Sequence, residues 1–200
     1  MVRIFATLAV LVVSNPTASE ASLAPVRLTV VAETTVTRSF IAETLAEAGA
    51  IWREAGIRIE WQRAAAASDL PDDLIVTLER VGSSPADGVA PLGWIRFADA
   101  DSPEPHIHLS LANVEQLMDR TAGLHDKPDV MRDVLLSRAL GRALAHELGH
   151  YLLRSRAHAE RGLMRATRPS SDFFAPERNR FALLPDDRRW LAEHLRCAND

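Results

Sequence analysis

The residues best suited to chemistry in this sequence are two histidines four positions apart, with a glutamate directly after the first. They are His146, Glu147 and His150, in the run His-Glu-Leu-Gly-His. Residues i and i+4 lie on one face of a helix, so both imidazoles can reach the same metal ion. Glu147 lies about 100° around the helix from His146, where its carboxylate can contact a metal-bound water without binding the ion.

This set of groups is suited to hydrolysis at a zinc ion. Zinc lowers the pKa of a bound water to about 7 and polarises a carbonyl group. A carboxylate beside that water can take its proton and pass it to a leaving amine. Together these steps would cleave a peptide bond.

A catalytic zinc needs a third protein ligand and an open fourth position. His158 is the preferred candidate, because it follows the helix after Arg154-Ser155-Arg156, where the chain can turn back. Glu160 and Asp172 are alternatives, since carboxylates also bind zinc.

The segment that carries the histidine pair predicts one long helix, from Asp129 to about Leu153, opened by Pro128. Leucines and a tyrosine form its apolar back face, and small apolar residues continue its histidine face. Such a helix is buried around most of its circumference. Two histidines and a glutamate are costly there unless they are paired or bound to a metal.

From about residue 145 to 164 the sequence resembles the metzincin clan of zinc metallopeptidases, nearest to its matrixin-like members. The run Gly162-Leu163-Met164 contributes to this resemblance, and the order of predicted elements extends it loosely over most of the chain. The site residues that it implies are His146, His150 and His158 as zinc ligands, Glu147 as general base and Met164 as the hydrophobic floor beneath the metal.

The sequence departs from the clan's pattern after the second histidine. That pattern is HExxHxxGxxH, whereas this chain has Leu153 in place of the glycine, and His158 comes two residues late. A longer loop must therefore connect the helix to the third ligand. Ser155 or Arg156 is expected to reverse the chain without a glycine.

The resemblance also implies a substrate-binding strand, with Gly93, Trp94 and Ile95 at the edge of the sheet. Pairing of an extended peptide with an edge strand is a general mode of recognition; the alternative is an edge strand without a ligand. His106 and His108 share one face of the next strand. They could hold a second ion, but we favour polar residues on a half-exposed strand.

Hydrophobic periodicity predicts the elements that position these residues. The predicted strands are at 26–32, 57–61, 74–78, 93–97 and 106–111, and the predicted helices at 39–55, 113–120, 129–153 and 185–196. A strand, a helix and a second strand at the start suggest a right-handed crossover between parallel strands. The predicted fold class is α+β, with a mixed, mostly parallel five-stranded sheet, a backing helix and an active-site helix.

The first 21 residues are predicted to be a signal peptide, because Arg3 precedes a ten-residue apolar run and small residues follow. The alternatives are an N-terminal core helix or a membrane anchor. Residues 22–200 then form a single zinc metallopeptidase catalytic domain, secreted or periplasmic. No other run is long and apolar enough to suggest a membrane contact after signal removal.

Composition is that of a globular protein, with 47% apolar and 25% charged residues among 200. The formal net charge of −4 argues against nucleic-acid binding. The single cysteine, Cys197, cannot form an internal disulfide, and we interpret it as a free thiol rather than a zinc-binding latency cysteine.

These observations predict a secreted endopeptidase with one catalytic zinc, acting on an extended peptide or protein substrate. The alternative is a secreted zinc-binding domain, non-catalytic or toxin-like, that keeps the metalloprotease fold.

Overall fold

The computed structural model describes residues 25–64, 74–80 and 90–195. The strands are β1 (Val26–Ala32), β2 (Ile59–Arg63), β3 (Leu74–Glu79), β4 (Gly93–Phe97) and β5 (Pro103–Ser110). The helices are α1 (Arg38–Arg53), α2 (Leu111–Arg120), α3 (Asp129–Leu152), α4 (Ser170–Phe174) and α5 (Pro185–His194), with a 3-10 turn at Asn179–Phe181. The predicted signal peptide and Cys197 lie outside the described residues. Within those ranges, no helix is both long and apolar enough to cross a membrane.

The five strands form one sheet in the order β2-β1-β3-β5-β4. The pairs β1–β2, β1–β3 and β3–β5 are parallel, and β4 runs antiparallel to β5 at one edge. The predicted fold class is therefore confirmed. The predicted crossover between parallel strands is confirmed as well, because α1 connects β1 to its neighbour β2.

Alternation along the strands gives the sheet one buried and one half-exposed face. Leu28, Val76 and Ile107 point to the buried face, where α1 and α3 pack. Their neighbours along the strands, such as Thr77 and His108, occupy the opposite face. Helix α3 contacts both β4 and β5 on the buried face, so its histidine pair lies near the sheet edge.

Helices α1 and α3 approach closely where α3 has a glycine. A Cβ on Gly141 would lie 2.5 Å from the carbonyl oxygen of Thr44, so a larger residue would push the helices apart. Further along the same contact, the indole Nε1 of the fully buried Trp52 donates to the carbonyl of Ala145, at 3.2 Å.

A buried ion pair connects the same helices to the C-terminal part of the chain. The fully buried Arg142 donates through Nε to Glu47 Oε1, at 2.9 Å. Arg142 also donates to the backbone carbonyls of Asp172 and Glu177, and Arg178 Nη2 lies 2.6 Å from Glu47 Oε2. Breaking a buried pair on one side typically costs about 3–5 kcal/mol. This network holds residues 172–178 against α3.

The structure differs from the prediction mainly in short or proline-containing segments. Strand β5 begins at Pro103, three residues before the predicted start, because Pro103 pairs with Phe97 next to an irregularity in β4. Prolines are tolerated at such edge irregularities, although they weaken a sequence-based strand prediction. Helix α4 and the 3-10 turn are too short for their periodicity to be read from sequence.

Candidate metal centre and active-site cavity

Three histidines meet at one end of α3. His146 and His150 lie on the helix and His158 lies in the loop that follows; one ring nitrogen from each is within 4.8 Å of the others. The Nε2 atoms of His146 and His150 are 3.1 Å apart. The ring of His158 lies 5.3 Å from that of His146 and 4.9 Å from that of His150, measured between centroids.

Backbone carbonyls orient the two helical imidazoles. His146 Nδ1 donates to the carbonyl of Leu163 at 2.9 Å, and His150 Nδ1 donates to that of Ser155 at 2.7 Å. Burial lowers the pKa of His146 to about 4 and also lowers the pKa of His150. The lowered pKa values favour the neutral form of both rings, and donation through Nδ1 leaves a bare lone pair on each Nε2.

The facing lone pairs fit a metal ion. Two bare nitrogens at 3.1 Å repel one another unless a cation binds both. Two nitrogens bound to one tetrahedral zinc would lie about 3.3 Å apart, given Zn–N bonds of about 2.0–2.1 Å. Backbone acceptors on the far ring nitrogens are the outer-shell contacts that metal-bound histidines usually make. The triad can therefore hold zinc.

Neither carboxylate alternative joins this group. Among the described residues, the cluster with metal-binding spacing consists of the three histidines. Asp172 is buried and paired with Arg180, Oδ1 to Nη1 at 3.2 Å. Glu160 is exposed. The geometry thus places His158, rather than Glu160 or Asp172, beside the helical pair.

The loop to His158 reverses at Arg154, so the expectation of Ser155 or Arg156 at this point was wrong. Arg154 has a φ of 50°, in the left-handed region. The turn comes directly after α3 because the amide of Ser155 returns to donate to the carbonyl of His150, at 3.2 Å. Arg156 then donates to the carbonyls of Phe97 and Asp99, at 3.3 and 2.9 Å, which ties the loop to the end of β4.

The left-handed turn gives a stability prediction. Arg154 is an exposed non-glycine residue in a conformation that costs about 1–2 kcal/mol. We expect Arg154→Gly to be more stable than Arg154→Ala by about 1 kcal/mol, which is about 2–4 °C in Tm for a chain of this size. Both variants lose the side chain, so thermal unfolding of the pair isolates the backbone effect. Equal Tm values would contradict the prediction.

Glu147 lies buried between α3 and the edge strand. It is 8% exposed, and burial raises its pKa to about 8; a bound dication would favour the ionised form. A Cβ on Gly93 would lie 3.2 Å from Glu147 Cγ and 2.9 Å from Leu109 Cδ2. Gly93 therefore leaves the space that the glutamate side chain occupies, a role that sequence spacing could not reveal.

Met164 packs against the backbone of α3. It is buried, and a Cβ on Gly149 would collide with its sulfur. The turn before it needs Gly162, which has a φ of 74° and lies close to the carbonyl of Ala182. The structure thus places Met164 directly against the helix turn that carries His150.

Strand β4 has free backbone groups along its outer edge, whereas only some of its side chains face the cavity. The backbone amide of Ser110 donates to the carbonyl of Leu92 at 2.9 Å. In an antiparallel pair every second residue is hydrogen-bonded to its partner, so the backbone amides and carbonyls of Gly93 and Ile95 point away from β5. The ring of Trp94 stacks on His108, 5.1 Å between centroids, on the other face of the sheet. Of the three predicted residues, Trp94 therefore directs its side chain away from the triad.

His106 and His108 make polar contacts on that outer face. His106 Nε2 is 2.7 Å from Thr77 Oγ1, and His108 Nδ1 is 3.1 Å from Glu79 Oε1. They belong to no cluster with metal-binding spacing in the part of the chain that the structure describes. The contacts that the structure shows for them are those of polar side chains on a half-exposed strand.

The triad opens into a cavity of about 910 Å³. One wall is β4, the floor is α3, and the opposite wall comes from residues 165–173. Sequence reasoning missed Arg165, Arg168 and Phe173 of that wall. Their local sequence carries no periodic signal, and only long-range contacts such as the Arg142 network bring them to the site.

Sequence comparison found no matching protein-family model and no matching curated protein. Structural comparison found archaemetzincin from Methanopyrus kandleri, with a TM-score of 0.50 and 16% identity, over 90% of this chain and 99% of that chain. It also found metalloproteinase-II from Bacteroides fragilis, with a TM-score of 0.46 and 13% identity, over 89% of this chain and 55% of that chain.

At such low identity, the similarity to archaemetzincin concerns the fold. The chain thus has an α+β fold similar to that of archaemetzincin, and the loop after its long helix brings three histidines to a group that can bind a metal ion. The matrixin-like subfamily remains a prediction.

Proposed function

We propose that this protein is a zinc-dependent endopeptidase. The observation that carries the proposal is the histidine triad, whose two helical members present bare nitrogens to each other 3.1 Å apart in an open cavity. Glu147 lines the same cavity. The metallopeptidase-type fold supports a peptide substrate, and the predicted Met164 turn supports a metzincin assignment, within which matrixin-like remains the finer hypothesis.

In this proposal the three histidines hold one zinc ion, which when bound acidifies a water and polarises the substrate carbonyl. Carbonyls of Leu163 and Ser155 keep His146 and His150 in the tautomer that presents Nε2. Glu147 takes the proton from the attacking water at its carboxylate and gives it to the leaving nitrogen. Its burial between α3 and β4 keeps bulk water from competing for that proton.

We also propose that the protein is exported from the cytoplasm. The charged start and the ten-residue apolar run of residues 1–21 support an export signal, with residues 22–200 as a single catalytic domain. The substrate would then be an extracellular or periplasmic peptide or protein, bound in extended form along β4.

The experiment that tests the activity uses a mixture of unstructured peptides. We expect cleavage by the purified protein with one zinc per chain, loss of cleavage on chelation, and recovery when zinc is added back. Cleavage that survives chelation and zinc depletion would contradict the proposal. Stoichiometric zinc without any cleavage would favour the non-catalytic binding domain instead.

Substrate pairing with β4 gives a second prediction. Ile95→Pro removes one outward amide and no hydrogen bond to β5, because the amide of Ile95 points away from that strand. We expect peptide cleavage to fall by about tenfold or more, since a substrate loses a main-chain hydrogen bond and meets the proline ring. Zinc content should not change.

The matched control is Ile95→Ala, which shortens the side chain and keeps the amide. Both variants would be measured as kcat/KM on the same peptide, with circular dichroism to establish folding. If the proline variant cleaves as fast as the alanine variant, the substrate does not pair with this strand.

A further inference from the structure

The chain carries positive charge around its candidate metal centre, although its overall charge is negative. Between residues 154 and 168 there are five arginines and one acidic residue, Glu160, whereas the whole chain has a formal net charge of −4. Local charge of opposite sign to the whole molecule points to a specific role in attracting a ligand.

Several of these arginines line the cavity that contains the triad. Arg156, Arg165 and Arg168 lie around it on the side of the loops. Arg96 and Glu104 also border it, but the charges of both act on His106, on the outer face of the sheet. The carboxylates that line it are Glu104 and Glu147. Glu147 is the general base of the proposed function, and the lining residues on the loop side contribute three arginines and no carboxylate.

These three arginines form no direct ion pair within the described ranges, although Asp99 interacts electrostatically with Arg156, and Asp172 with Arg168. Arg168 donates to the carbonyls of Gly162 and Arg180, at 2.9 and 3.1 Å, and its guanidinium lies 4.0 Å from the ring centroid of Phe181. Arg156 also donates to backbone carbonyls only. Carbonyl oxygens satisfy the N–H groups and leave the formal charge in place.

Arg142 provides the contrast. It lines the same cavity, but its charge is offset by Glu47 at 2.9 Å. Arg165 is exposed and forms no ion pair among the described residues. It is therefore the cation in this wall that can reorient toward a bound ligand at the smallest cost.

We propose that the cavity selects peptides that carry a carboxylate close to the cleaved bond. Arg165 binds that carboxylate, and the positive charge of Arg168 in the same wall adds electrostatic attraction. This inference rests on the proposed function and names its substrate class. Charge-assisted hydrogen bonds from a guanidinium to a carboxylate are among the strongest that side chains form. Because Arg165 is exposed, solvent screens part of this interaction.

Two sources can supply the carboxylate, and paired peptides distinguish them. The first pair differs only by Glu or Gln near the cleaved bond. The second pair differs only by a free or an amidated C-terminus near that bond. We expect kcat/KM for the charged member of one pair to exceed that of its neutral partner by about tenfold, the effect of one charge-assisted hydrogen bond. The preference should fall as salt is added.

Arg165→Gln tests the assigned residue. We expect the ratio of kcat/KM for the charged peptide to kcat/KM for the neutral peptide to fall to about one third of its original value or below. This is the effect expected when one partly screened ion pair is lost. Arg188→Gln is the matched control, because Arg188 is an exposed arginine on α5 that does not line the cavity. Zinc content establishes that both variants are folded.

Binding by Glu147→Gln separates this inference from the proposed function. Fluorescence anisotropy of the labelled charged and neutral peptides on this zinc-loaded variant measures recognition without turnover. Charge-selective binding that depends on Arg165 supports the inference even if the parent protein cleaves nothing. Equal rates and equal affinities within both peptide pairs would overturn it, whether or not peptides are cleaved.

Discussion

Replacing Glu147 by glutamine is expected to lower kcat for peptide cleavage by about 10²–10⁴-fold, the usual contribution of a general base. Glutamine has nearly the same shape and fits the space beside Gly93, but it cannot take a proton from water. The variant should therefore fold and bind zinc as the parent does. The measurement is single-turnover cleavage of one peptide, with zinc per chain determined on the same preparation.

The control for this prediction is Glu104→Gln, which removes the other carboxylate that lines the cavity. Glu104 is exposed at the start of β5 and lies outside the group of three histidines. A glutamine at 147 that retains most of the activity would mean that another group activates the water. The assignment of Glu147 as the base would then be wrong, although the zinc site could stand.

Replacing His158 by alanine is expected to weaken zinc binding by more than about 100-fold, beyond the effect of losing a group that only hydrogen-bonds to a metal ligand. Only His146 and His150 would remain as ligands, and peptide cleavage should disappear with the metal. His158 is exposed and lies in a loop, so the variant should keep the fold. Competition with a chromogenic chelator measures the affinity.

Glu160→Ala is the natural control, because it removes the nearby carboxylate that sequence alone left as an alternative ligand. The structure places Glu160 outside the triad, so its loss should leave zinc affinity within about twofold, as expected of an exposed group that binds nothing. If Glu160→Ala released the zinc and His158→Ala did not, the loop would bind the metal in a different arrangement.

Sequence alone could predict the elements whose signal is local and periodic. The bounds of β1 and β4 are as expected, and α3 differs from its expected end by one residue, because alternation and helical spacing repeat along each of these segments. The histidine pair could be placed because i and i+4 geometry is fixed by the helix.

The rest of the site depends on contacts between distant parts of the chain. The residues around Arg154 do not predict a left-handed backbone conformation at that position. The conformation depends on the hydrogen bond that the Ser155 amide donates to the carbonyl of His150 in the last turn of the helix. The arginines at 165 and 168 reach the cavity because the buried Arg142–Glu47 pair holds the following segment against α3. Such an arrangement follows from packing and cannot be read from spacing.

The hydrogen bond from Trp52 to Ala145 makes the core indole an internal probe of the helix that carries the histidine pair. Its acceptor carbonyl belongs to the residue directly before His146, so a change in the charge held by the histidines alters the electric field along the indole. Of the four tryptophans in the chain, Trp52 is the fully buried one among those described. Its emission can therefore report occupancy of the triad without a label, a substrate or any turnover.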